Sequence, residues 1–70
     1  MNLGSFIPMC DNVSITINVI HAFEGNTIIS GKVNNLIYDE KFQNIASMQV
    51  AGFYVNPVDY AMNVSVYEVE

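Results

Sequence analysis

Chemistry needs nucleophiles, bases or metal ligands at workable spacing, and this chain supplies few. His21 is its only histidine and Cys10 its only cysteine. A thiolate beside an imidazole makes a nucleophile and base, but nothing in their spacing pairs these two. No basic neighbour in the sequence activates Cys10, so it reads as a small buried hydrophobe. His21, at the end of a strand pattern, reads as a structural residue. No G-x-S-x-G run marks a nucleophile elbow. A structural zinc asks for four Cys or His ligands, and a calcium loop asks for spaced oxygen ligands; neither pattern is present. Asp39-Glu40 is the only carboxylate doublet. Paired acids work across a cleft in different environments, whereas adjacent residues point apart, so the doublet reads as the solvated start of a helix. Gly25-Asn26-Thr27 and Gly31-Lys32 are too sparse to cradle phosphate. The residues assign no catalytic group, no metal and no cofactor, and the expectation is a protein that is not an enzyme.

Recognition chemistry is better represented. Tyrosine offers a rigid, amphipathic contact and is enriched at binding hot spots. Tyr38 beside Asp39-Glu40, and Asp59 beside Tyr60, form two acidic-aromatic patches on expected loops. These five residues are the candidate partner-binding set, with ordinary packing as the plainer reading. Seven carboxylates face two lysines and no arginine, for a net charge of −5. Duplex nucleic acid is held through several Lys or Arg contacts to phosphate. Direct nucleic-acid binding is therefore not expected, and the plainest meaning of the acidity is solubility.

The elements that would position these residues are mostly strands. Residues 3–10 suit a short helix, with Ser5 as N-cap and Phe6, Met9 and Cys10 as its apolar stripe. In residues 13–21, Val13, Ile15, Ile17 and Val19 alternate with Ser14, Thr16 and Asn18, the signature of a half-buried strand. Glu24-Gly25-Asn26 is turn chemistry, so residues 27–33 should return as a hairpin partner. Gly31 there marks a bulge or a close backbone approach. Asn34-Asn35 ends that strand, and residues 36–45 suit one or two helical turns. Residues 47–55 give a third strand with a bulge signal at Gly52. Asn56-Pro57-Val58-Asp59 is a turn, and residues 61–69 close the chain as a fourth strand. The expected fold is α+β and β-dominated: a single domain with a four-stranded, mainly antiparallel meander and two short helices.

Size bears on how this fold is covered. A chain of 70 residues is 51% hydrophobic and 13% charged, which is a folding composition rather than a disordered one. So short a chain buries only about 60% of the surface its unfolded form exposes. One cysteine allows no internal disulfide, so oligomerisation is the remaining reinforcement. Ile20, Ile29, Phe53, Val55, Tyr67 and Val69 fall opposite the inward-facing sets and are the candidate oligomer interface. Either a second copy covers them or the sheet curls into a half-barrel and buries them itself. No basic-then-apolar leader and no membrane-spanning run is evident, so the host-cell cytoplasm is the expected compartment and no membrane partner is expected.

The chain resembles small proteins encoded by phages and other mobile elements of Firmicutes. The likeness runs through Phe6-Ile7-Pro8-Met9-Cys10, Val13-x-Ile15-x-Ile17, Gly31-Lys32-Val33-x-x-Leu36, Val50-x-x-Phe53 and Val64-x-Val66. It lends no site residues. What it implies is a phage accessory protein that blocks host defence, as an anti-CRISPR-like inhibitor does by binding a host protein. An alternative is an oligomeric sponge for a small signalling nucleotide, with Lys32 or Lys41 on phosphate. A structural or assembly protein is the third.

Overall fold

The computed structural model describes residues 1–9 and 14–68. Its strands are β1 (Thr16–His21), β2 (Thr27–Lys32), β3 (Gln49–Asn56) and β4 (Ala61–Tyr67). They form one open sheet in the order β2-β1-β4-β3. Both hairpins, β1 with β2 and β3 with β4, are antiparallel, but β1 and β4 run parallel at the centre. The expected meander is thereby corrected to a mixed sheet. The reason lies in the connection: two helical turns, α2 (Val33–Leu36) and α3 (Glu40–Ile45), separate the hairpins. A crossover of that kind returns the chain to run parallel with its first strand. The strands with the strictest apolar alternation, β1 and β4, take the two central places.

Register explains which residues face inward. One row across the sheet is Gly31, Ile17, Met62, Val55, and the next is Ile29, Val19, Val64, Phe53. A third carries His21, Val66 and Val50. Two bulges keep these rows on one face. In β2 the register skips Ile28, pairing Val19 with Ile29 and Ile20 with Thr27. In β3 it skips Ala51, at the position the glycine of Val50-Ala51-Gly52 announced. An extra residue shifts side-chain parity, so Val50 and Phe53 share a face although three positions apart. Ile29 is consequently a core residue packed opposite Val19, which corrects its expected place on the outer surface. Gly31 answers to close approach, not to a bulge: a Cβ there would come within 3.3 Å of the Leu36 side chain.

The helical pieces cover the inward face. α1 (Leu3–Phe6) continues into a single 3-10 turn at Ile7–Met9. Its cap is Asn2, whose side chain accepts from the Ser5 N–H, and not Ser5 itself. Leu3 and Ile7, one helical turn apart, are fully buried, while Phe6 is half-buried and Met9 exposed. The expected Phe6–Met9–Cys10 stripe is corrected accordingly: a cap three residues earlier rotates the buried face, and Cys10 lies outside the described residues. The Leu3 and Gly4 N–H groups donate to the Met48 and Ala46 carbonyls at 2.8 Å each. α2 buries Val33 and Leu36, so Asn34-Asn35 lies within a helical turn. α3 is capped by Asp39 and buries Phe42. Ile17, Val19, Val64 and Val66 beneath this layer are wholly buried.

Candidate binding surface

Side-chain placement decides what chemistry the molecule presents. The described carboxylates, Glu24, Asp39, Glu40, Asp59 and Glu68, are all exposed, as are Lys32 and Lys41. No three described His, Cys, Asp or Glu residues gather where they could hold a metal. His21 is committed structurally. Its Nδ1 accepts from the Phe23 and Glu24 N–H groups at 3.3 and 3.2 Å, and its Nε2 stands 3.5 Å from Glu68 Oε1. An accepting Nδ1 leaves the proton on Nε2, so the ring braces the β1–β2 turn. A shallow depression of about 360 Å³ beside α3 is lined by Asn44, Ile45, Ser47, Met48 and Glu68. Neither lysine reaches it.

The outer face of the sheet carries a polar row. Ser30 Oγ donates to Asn18 Oδ1 at 2.6 Å, and Asn18 Nδ2 donates to Asn63 Oδ1 at 3.0 Å. Tyr54 ends that row on β3. Ile20 and Tyr67 also stand on this face and are half-buried. Phe23 packs edge-on to Tyr67, with ring centroids 6.1 Å apart. Val69 lies outside the described residues.

Among the described residues, most of the exposed large apolar and aromatic side chains lie on β3 and the turn that follows it, with Met1, Met9, Phe23 and Tyr38 exposed elsewhere. Phe53 and Val55 face the side of the sheet that holds the core, which corrects their expected place opposite the inward set, because the bulge at Ala51 shifts the parity of β3. They are nonetheless 59% and 54% exposed. α1 reaches this corner at its last residue, where the Phe6 ring lies 5.0 Å from that of Phe53. The sheet does not curl to bury them, since β2 and β3 are both edges. The β3–β4 turn is built on Asn56. Its Oδ1 accepts from the Val58 and Asp59 N–H groups at 3.0 and 3.4 Å, and its Nδ2 donates to Asp59 Oδ2 at 3.1 Å. Val58 projects from this frame 89% exposed. Tyr60 closes the turn at φ 52° with its side chain largely in solvent.

No family model, curated protein or solved structure matches the chain.

The structure divides the five expected partner-binding residues between two connections. Tyr38, Asp39 and Glu40 lie where α2 passes into α3, with Tyr38 exposed and Asp39 engaged in capping the Lys41 N–H. Asp59 and Tyr60 lie in the β3–β4 turn. Sequence reasoning missed Val58 and Tyr54. A valine following proline inside a turn was the available signal for the first, and the polar alternation opposite Phe53 for the second. Among the described residues, no helix is long and apolar enough to cross a membrane.

Proposed function

We propose that the chain is a non-catalytic binding protein that occupies the surface of another protein through its β3–β4 turn. Tyr60 carries this reading. It is the only described non-glycine residue at positive φ. A left-handed backbone costs a residue with a Cβ about 1–2 kcal/mol relative to the usual conformation, and such strain concentrates at functional positions. The turn thus holds a solvent-facing tyrosine where glycine would fold with less strain. Val58 and Tyr60 supply apolar anchors, and Asp59 sets an acid between them. The Asn56 hydrogen bonds hold the frame in advance, which lowers the entropy lost on binding. The complementary surface is an apolar cleft edged by Lys or Arg. Tyr38 and Glu40 offer a second exposed acidic-aromatic pair. Joined to the likeness with phage and mobile-element proteins, this supports an inhibitor of a host defence factor.

The test compares immobilised wild-type protein with a Val58→Ser/Tyr60→Ala variant in capture of host-cell proteins, quantified by mass spectrometry. A hot-spot pair is worth at least about 2 kcal/mol, or roughly 30-fold in dissociation constant. A protein captured by the wild type and lost with the variant, while the circular dichroism spectra coincide, is the expected outcome. Identical capture by both sinks the reading. A parallel thermal-shift panel of cyclic mono- and dinucleotides addresses the sponge alternative. A ligand at about 100 times its dissociation constant would add roughly 2.7 kcal/mol of stability, and the expected shift is none.

A further inference from the structure

We propose that two copies of the chain pair edge to edge, antiparallel, along residues 51–56 of β3, joining two four-stranded sheets into one. β3 is an edge strand. Its first residues are covered on the outer side, where Asn2 bridges Gln49 and the Val50 N–H donates to the Met1 carbonyl. Beyond that point no described strand lies along it. An edge presents a row of backbone donors and acceptors ready to template another strand. Edges that stay single are blunted with charge, and the two edges here differ in this respect. β2 ends on Lys32, whereas Gln49–Asn56 carries no charged side chain.

Self-complementarity suits a second copy as the occupant. A net charge of −5 opposes association of copies in general, and this strand, with no charged side chain, adds no like-charge contact of its own when it meets itself. Its side chains suit the role on both faces. Phe53 and Val55 extend the inward-facing rows, and Tyr54, 61% exposed, stands on the other side. Directly opposed residues of an antiparallel pair have Cβ atoms about 4.5–5.5 Å apart, so each copy would shield the other's three side chains. An aromatic side chain presents about 200 Å², so Phe53 and Tyr54 each offer about 120 Å². With the edge backbone, two copies would bury at most about 1,000 Å², the lower bound for a specific interface. The dimer is accordingly weak and reversible. The seam is also bounded. The Val50–Gly52 bulge interrupts it at one end, and Pro57, which has no N–H to offer, ends it at the other. A two-fold axis at Tyr54, which sets Phe53 of each copy opposite Val55 of the other on one face, then closes the assembly at two copies. The two β3–β4 turns lie at opposite ends of the seam, so this inference stands apart from what the turn binds.

Sedimentation velocity is run from about 1 to 500 µM, a range that reads a weak, reversible dimer. The expected result is a concentration-dependent passage from monomer to dimer. Amide exchange of residues 51–56 should slow as dimer accumulates, while that of Thr27–Lys32 stays constant. Tyr54→Lys should raise the dissociation constant at least about 30-fold, as an edge lysine blocks pairing, with Thr27→Lys on the other edge as the unaffected control. A wild type that remains monomeric throughout overturns the inference. So does a dimer that survives Tyr54→Lys or is lost with Thr27→Lys, and the exchange measurement decides the matter should a variant fold poorly.

Discussion

Tyr60 allows the backbone argument to be isolated from the side-chain argument. Tyr60→Ala and Tyr60→Gly remove the same ring, so whatever packing the ring provides cancels between them. At an ordinary position the alanine variant is the more stable, because glycine gains about 0.5–1 kcal/mol more freedom in the unfolded chain. At φ 52° the Cβ of alanine meets the left-handed penalty of about 1–2 kcal/mol, and glycine does not. The order therefore inverts, with Tyr60→Gly expected to be more stable than Tyr60→Ala by about 0.5–1 kcal/mol. For a domain of this size that separation corresponds to roughly 2–8 °C in Tm. Thermal unfolding followed by circular dichroism reads it directly, and urea midpoints provide a second measure. An alanine variant equal to or more stable than the glycine variant would remove the strain, and with it the reason for assigning the turn a function.

Two further expectations concern the scaffold. Gly4→Ala places a Cβ 3.0 Å from that of Ala46 and 3.2 Å from its carbonyl oxygen. The hydrogen bonds of Leu3 and Gly4 to this segment oppose any shift, so overpacking of about 1–3 kcal/mol should exceed the helical gain of up to about 1 kcal/mol. A lowered urea midpoint, partly restored by Ala46→Gly, is expected, and an unchanged midpoint refutes the close approach. On the outer face, Asn18→Ala and Asn63→Ala should show a coupling of about 0.5–1.5 kcal/mol in a double-mutant cycle. Additive effects would mean that their 3.0 Å hydrogen bond contributes nothing.

Strand identity was legible because Ile17-x-Val19 and Met62-x-Val64-x-Val66 alternate cleanly, and alternation is a local property. The partner of each strand was not. Whether β4 docks beside β1 or stays at the end of a meander depends on where α2 and α3 carry the chain, and no residue between 33 and 45 encodes that direction locally. Parity failed for a related reason. Gly52 flagged its bulge but not what the bulge does to parity, so Phe53 and Val55 were expected opposite the inward set although they share the core face. The bulge at Ile28 has no glycine to announce it, and Ile29 was likewise put on the wrong face. The N-terminal helix shows how sensitive a short element is to its cap. Asn2 and Ser5 are both good caps, and choosing between them rotates the buried stripe from Phe6 and Met9 to Leu3 and Ile7. Asp59 and Tyr60 stood out by residue type, whereas the backbone strain that gives Tyr60 its weight is invisible in a sequence.

The shortage of covering layer expected of a small chain is localised. Buried apolar residues of β1 and β4 (Ile17, Val19, Met62, Val64 and Val66) lie beneath the helices, and two of their rows run on to Phe53 and Val55, where the cover ends. A strand meant to be solvated at that place would place polar residues on the exposed side and lysine at its edge, as β2 does at Lys32. β3 instead has aromatic or branched side chains on consecutive positions 53, 54 and 55, which alternate between faces. Both faces are therefore apolar at one edge. Helical cover would satisfy only one of them, whereas a strand laid alongside satisfies both together with the backbone between them. That geometry, not composition alone, is what makes a second β3 the fitting neighbour.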